Sequence, residues 1–81
     1  MKILFFAMLR ERLGCAEIQL VAKPEMTVAD VLTELTLRSA EWQTVLTQQE
    51  LLAAVNQQFV SLQHLVQAGD EIAFFPPVTG G

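Results

Sequence analysis

Lys2 to Met8 is apolar at nearly every position, with Ile3, Phe5 and Ala7 on one side and Leu4, Phe6 and Met8 on the other. An unbroken run of this kind predicts a central strand covered on both faces. Leu9 to Leu13 has room for one helical turn, which Gly14 stops. Glu17 to Val21 alternates polar and apolar, the pattern of a half-buried strand pairing back as a hairpin. Met26 to Arg38 is the clearest helix. Thr27 and Asp30 form a short version of the capping box, Met26 and Val31 occupy the staple positions, and Val28, Val31, Leu32 and Leu35 make one apolar stripe. A second short helix starts at Ser39 and turns Trp42, Val45 and Leu46 inward. Leu51 to Val55 reads as a strand, Asn56-Gln57-Gln58 as a turn in which Asn accepts the left-handed conformation, and Phe59-Val60 as a short returning strand. Gln67 to Asp70 is a turn. Glu71 to Phe75 is the last strand, ended by Pro76-Pro77, neither of which can donate to a sheet ladder.

A hairpin, a crossover helix and a return to the sheet describe an α+β domain, a mixed sheet with one main helix on one face. This is the β-grasp arrangement of ubiquitin-like proteins. It assigns residues 1–75 to the domain and 76–81 to an extended tail, with no length for a second domain in 81 residues. A chain this short needs an apolar-rich core, and 52% hydrophobic against 17% charged residues meets that need.

Charge and composition narrow the function. The net charge is −4 and the five basic residues are scattered, which argues against nucleic-acid binding and suits partners with basic pockets. No run of eighteen apolar residues is present, so no membrane span is expected. The run Ile3–Phe6 is too short for a signal-peptide core, and the expected location is the cytoplasm. Cys15 and His64 are each alone. They exclude an internal disulfide and a multi-cysteine zinc site, and no phosphate-cradling glycine loop is present, so no cofactor of its own is expected. Cys15 lacks a flanking Lys, Arg or His to activate it and reads as an ordinary cysteine. His64 has no nucleophile beside it in the sequence and reads as structural or solvent-facing.

The chemistry points to the end of the chain, Pro76-Pro77-Val78-Thr79-Gly80-Gly81, which holds two of the four glycines. Two prolines favour extended geometry, and six residues reach roughly 20 Å when extended. Glycines without side chains fit a channel too narrow for other residues. A terminal carboxylate is a poor electrophile until it is activated, for example as an acyl-adenylate that a sulfur nucleophile then attacks. Nothing in this chain binds ATP, so the activating enzyme is expected to be a partner. A frayed tail is the competing reading of the glycines.

Three segments, Ile3–Ala7, Leu51–Gln57 and Ala68–Gly81, closely resemble the small subunit of molybdopterin synthase, the MoaD family, and the likeness runs over essentially the whole chain. The terminal motif is specific and the helical region between is generic. The resemblance implies a β-grasp domain whose terminal Gly81 is adenylated by a ubiquitin-activating-like enzyme of the MoeB type and converted to a thiocarboxylate. It implies that Gly80, Thr79, Val78, Pro77 and Pro76 thread the tail into the large subunit, MoaE. That subunit builds the dithiolene of molybdopterin from cyclic pyranopterin monophosphate, in a heterotetramer with carriers at opposite ends. The chain itself is then a carrier and not a catalyst.

Phe6, Phe59 and Phe75 are the candidate docking residues. If Phe5 and Phe74 point under the helix, alternation turns Phe6 and Phe75 to the opposite face, and Phe59 joins them beside the Asn56 turn. One helix stripe cannot cover both faces, which favours an exposed patch over five core phenylalanines. Arg10, with Glu11, is placed at the end of the first strand, either in interface ion pairs or solvated. Three other functions compete: a ThiS-like sulfur carrier for thiazole synthesis, a ubiquitin-like protein modifier joined through Gly81 to a lysine, and a plain binding module with an incidental tail.

Overall fold

In the computed structural model, residues 1–77 are described. The chain runs β1 (Lys2–Phe5), α1 (Met8–Leu13), β2 (Glu17–Gln19), α2 (Val28–Thr36), α3 (Ala40–Thr47), β3 (Leu52–Val55), β4 (Gln58–Val60) and β5 (Glu71–Phe75). The five strands form one sheet in the order β2-β1-β5-β3-β4. β1 and β5 lie parallel at its centre, and the other three pairings are antiparallel. This mixed sheet, with its crossover through α2, is the β-grasp arrangement expected from the element order.

Alternation decides the core. Ile3 and Phe5 of β1, Ala53 and Val55 of β3, and Ile72 and Phe74 of β5 point to one face. Leu9 and Leu13 of α1, Val28, Val31 and Leu35 of α2, and Leu46 of α3 close over them in a single cluster. Trp42 leans against this cluster edge-on to Phe5, 5.5 Å between ring centres, and carries the Arg38 guanidinium over its ring at 5.1 Å.

The start of α2 obeys its local signals. The Thr27 hydroxyl accepts from the Asp30 N–H at 3.2 Å, and the Asp30 carboxylate accepts from the Thr27 N–H at 2.9 Å, a complete capping box. Met26 and Val31, the staple pair, are both buried. Ser39 caps α3 by accepting from the Trp42 N–H at 3.0 Å. Gly14 closes α1 in the left-handed conformation, φ 79°, and donates to the Arg10 carbonyl.

Several boundaries differ from the sequence reading; β3 starts at Leu52 and β4 at Gln58, each one residue from its expected start. β1 stops at Phe5, because Ala7 adopts φ 54° and Met8 opens α1. Ala7 and Met8 are therefore not strand positions, and the chain uses the turn to carry Leu9 and Leu13 into the core. β2 ends at Gln19; after the bonds between Leu20 and Met1 the chain leaves the sheet, and Val21 is exposed. α2 starts where its Thr27 cap and Met26 staple position require but ends earlier than expected, with Leu37 an exposed C-cap.

Candidate functional site

Asn56 and Gln57 make the tight turn between β3 and β4, both with positive φ, 50° and 71°. Asn tolerates this region through its short polar side chain. Here that side chain also spans to the last strand: its Oδ1 accepts from the Glu71 N–H and its Nδ2 donates to the Asp70 carboxylate, both at 3.0 Å. The Asn56 N–H donates to the Glu71 carbonyl at 2.8 Å. Asp70 in turn accepts from the Gln67 N–H, so the entry of β5 is tied down from two sides. The strand that leads to the C-terminus is thus central in the sheet and anchored at its start.

The face of the sheet away from the helices has no cover among the described residues. On β5, Ile72 and Phe74 are fully buried, whereas Ala73 and Phe75 on the opposite face are only half-buried. Phe59 on β4 is 74% exposed, Phe6 45% and Leu52 38%. Phe59 and Phe75 meet edge to face with ring centres 5.5 Å apart. Leu52 is the cross-strand partner of Phe75. Phe6, just past β1, is held by its N–H to the Phe74 carbonyl. The structure therefore brings Phe6, Phe59 and Phe75 onto one face, with Phe5 and Phe74 on the other.

Two depressions indent this apolar region. One, about 200 Å³, has Leu4, Ala54, Ala73, Phe6, Phe75, Gln57 and Glu71 as its lining. The other, about 260 Å³, lies at the edge of the sheet, where Leu52, Phe59, Val60 and Leu62 meet Pro77. Half-buried Pro76 and exposed Pro77 follow β5 directly, so the last strand delivers the chain to the aromatic end of the open face. The expectations for Val78, Thr79, Gly80 and Gly81 lie outside the described residues.

Arg10 is not at the end of a strand. It is an exposed residue of α1, since the chain has already turned at Ala7, and among the described residues its guanidinium has no ion-pair partner; Glu11 shares that helix. Cys15 is half-buried and packs against the core, and His64 is exposed with its backbone bonded to α2. Leu4, Leu52, Ala54 and Ala73 belong to the open face but were not singled out by the sequence. Alternation within each strand puts them there; their meeting depends on the pairing of β3 with β5, which no local pattern reports.

The chain matches the model of the ThiS family over residues 3–81. It is 46% identical over 80 residues to the molybdopterin synthase sulfur carrier subunit of Escherichia coli (strain K12), covering 99% of this chain and 98% of that one. The protein of the same name from Haemophilus influenzae is 43% identical, with 100% and 99% covered. Among solved structures, SAMP1 from Haloferax volcanii superposes with a TM-score of 0.81 at 28% identity, covering 99% of this chain and 97% of that one. The topology, the extent of these matches and their level of identity agree: the chain belongs to the ThiS family and, within it, to the family of molybdopterin synthase sulfur carrier subunits.

Proposed function

We propose that this chain is the sulfur-carrier subunit of a molybdopterin synthase and that Gly81 carries the sulfur. The observation that carries the reading is the family match, which runs through Gly80-Gly81 to the last residue. A structural core alone would not require the likeness to reach that point. The chain is the non-catalytic partner, as in relatives named for carrying sulfur. Its β-grasp domain offers a bare aromatic face, and the chain leaves β5 beside that face. The remaining four residues reach roughly 13 Å when extended, enough to enter a partner's cleft while the face stays docked.

The chemistry then proceeds in two partners. In a MoeB-like enzyme the Gly81 carboxylate attacks the α-phosphorus of ATP, giving an acyl-adenylate and pyrophosphate. A sulfur nucleophile at the sulfide level attacks the acyl carbon; the bond to AMP breaks and AMP leaves with the electron pair. The product is a thiocarboxylate. In a MoaE-like large subunit its sulfur attacks an oxygen-bearing carbon of the pyranopterin; the C–S bond forms as the C–O bond breaks, and the oxygen leaves with the electron pair. Water then cleaves the acyl carbon–sulfur bond and returns Gly81 as a carboxylate. Phe6, Phe59 and Phe75 supply docking area, Arg10, exposed on α1, offers a cation to the partner, and Pro76 to Gly80 thread the tail. ATP is consumed by the partner, and the site of action is the cytoplasm.

Intact mass tests this directly. With a MoeB-like enzyme, ATP and a sulfur source, the chain gains the mass of one oxygen replaced by one sulfur. Deletion of Gly81 abolishes the gain; a truncated chain that still takes up sulfur sinks the proposal. Recovery of a thiazole synthase, in place of the large subunit, in a pull-down supports the thiazole branch.

A second reading has one observation in its favour, the close superposition on SAMP1, a small archaeal modifier protein. In that reading Gly81 is joined to lysines of other proteins. Thiol-resistant, denaturant-resistant adducts that vanish with Gly81 deletion are its signature.

A further inference from the structure

Strand register sorts the bare face into two halves. Phe6, Leu52, Phe59 and Phe75 gather toward the end where β5 leaves the sheet. At the other end Lys2 and Glu71 are neighbours across β1 and β5, each turned to the bare face because Ile3 and Ile72 beside them are buried. Glu17 adds a second carboxylate on this face, opposite Leu4 on β1. Between the halves Ala54 faces Ala73. Two methyl side chains leave a depression of about 200 Å³, walled by Leu4, Phe6 and Phe75 and reaching Glu71 and Gln57.

Glu71 is held in place without using its carboxylate. Its N–H donates to Asn56 Oδ1 and its carbonyl accepts from the Asn56 N–H. Among the described residues the one ion pair is Lys23–Glu34, so Lys2 lies beside Glu71 in register without closing on it. The result is an apolar-walled depression with a carboxylate at one end that stands on an anchored backbone and is in no ion pair among the described residues.

That combination selects its occupant. A purely apolar side chain would strip water from Glu71 and offer nothing in return. An acidic one would be repelled, the more so from a chain of net charge −4. A long basic side chain lays its stem along the apolar wall and its cation against the carboxylate. Arginine fits better than lysine, because a planar guanidinium can take the carboxylate through two parallel hydrogen bonds while its stem lies along the apolar wall.

We infer that this depression receives an arginine side chain of the large subunit that takes up the tail, and that Glu71 is a specificity-determining residue of docking. The inference rests on the carrier reading for the identity of the partner. Aromatic contacts near the exit provide area but tolerate rotation. A charge pair at the far end of the face removes that freedom and aims the tail at the partner's cleft.

The test is affinity of the full chain for the purified large subunit at low and high salt, with thermal unfolding as the folding control. Glu71→Gln keeps the backbone bonds to Asn56 and is expected to bind about tenfold more weakly, with a flatter salt dependence. Ala73→Leu fills the depression from the solvent side and is expected to weaken binding about tenfold or more. It stands as an independent test if the first variant fails to fold. Glu71→Gln within twofold of wild type with an unchanged salt slope, or Ala73→Leu binding normally, overturns the inference alone. A wild-type chain that does not bind the large subunit overturns the carrier reading, and this inference with it.

Discussion

The two faces of one sheet are used in opposite ways. Under the helices, Ile3, Phe5, Ile72 and Phe74 are sealed, with Val28, Val31 and Leu35 of α2 fitted over them. On the other side, Phe6, Phe59 and Phe75 stand with no element above them among the described residues. Side chains one residue apart on β5 therefore meet different physics. Phe74 contributes its whole surface to folding, whereas Phe75 leaves part of its surface exposed. A free domain gains little stability from large apolar groups left in water, so a concentration of them on one face marks a recognition surface. The covered face should set stability and the bare face should set affinity, and substitutions can separate the two.

The largest effect is expected at Phe74. Truncation to Ala in a close-packed core removes the transfer free energy of the ring and leaves a cavity, for a cost of about 3–5 kcal/mol. For a domain of this size that is a large share of total stability. Denaturant unfolding of Phe74→Ala should show a much lower midpoint or no folded baseline. A loss below about 1 kcal/mol would break the distinction between the faces.

Thr27→Ala comes next. It removes one half of the capping box at the start of α2, leaving the Asp30 N–H without its side-chain acceptor. The expected loss is about 1 kcal/mol. Because α2 lies on the covered side, binding to the large subunit should be unchanged once the fraction folded is accounted for. A change in intrinsic affinity would show that the two faces are coupled through the sheet.

Much of this division was readable along the chain, and the parts that were not have physical causes. The alternation in Glu71–Phe75 and the stripe in α2 are local periodicities, and they placed Phe74 inside and Phe75 outside. The end of β1 was not readable. Phe6, Ala7 and Met8 continue an apolar run that suits strand and helix alike, and only the positive φ of Ala7 separates the two. The depression at Ala54 and Ala73 was invisible for a different reason. Neither alanine is distinctive alone, and their meeting is a product of register between strands nearly twenty residues apart. Arg10 falls in the helical turn expected over Leu9–Leu13 but lies farther from the strand end than expected, because β1 stops at Phe5. The bare face was legible in its aromatic members and illegible in its floor.

The smallest effect on folding is expected at Phe59, and it is the sharpest test of the comparison. Its ring is 74% exposed, and its main aromatic contact is the edge-to-face meeting with Phe75. Phe59→Ala therefore gives up a contact worth about 0.5–1.5 kcal/mol in buried settings. Solvent exposure lowers that value, so a midpoint shift at or below the bottom of the range is expected. When a partner covers the face, the same ring becomes buried area at an aromatic cluster. Truncation of such an anchor commonly costs about 2 kcal/mol or more of binding free energy. The expected outcome is a near-native unfolding curve together with a roughly thirtyfold loss of affinity for the large subunit. Equal losses in both measurements would mean that Phe59 serves the fold, and wild-type affinity would move the docking surface away from the β4 edge.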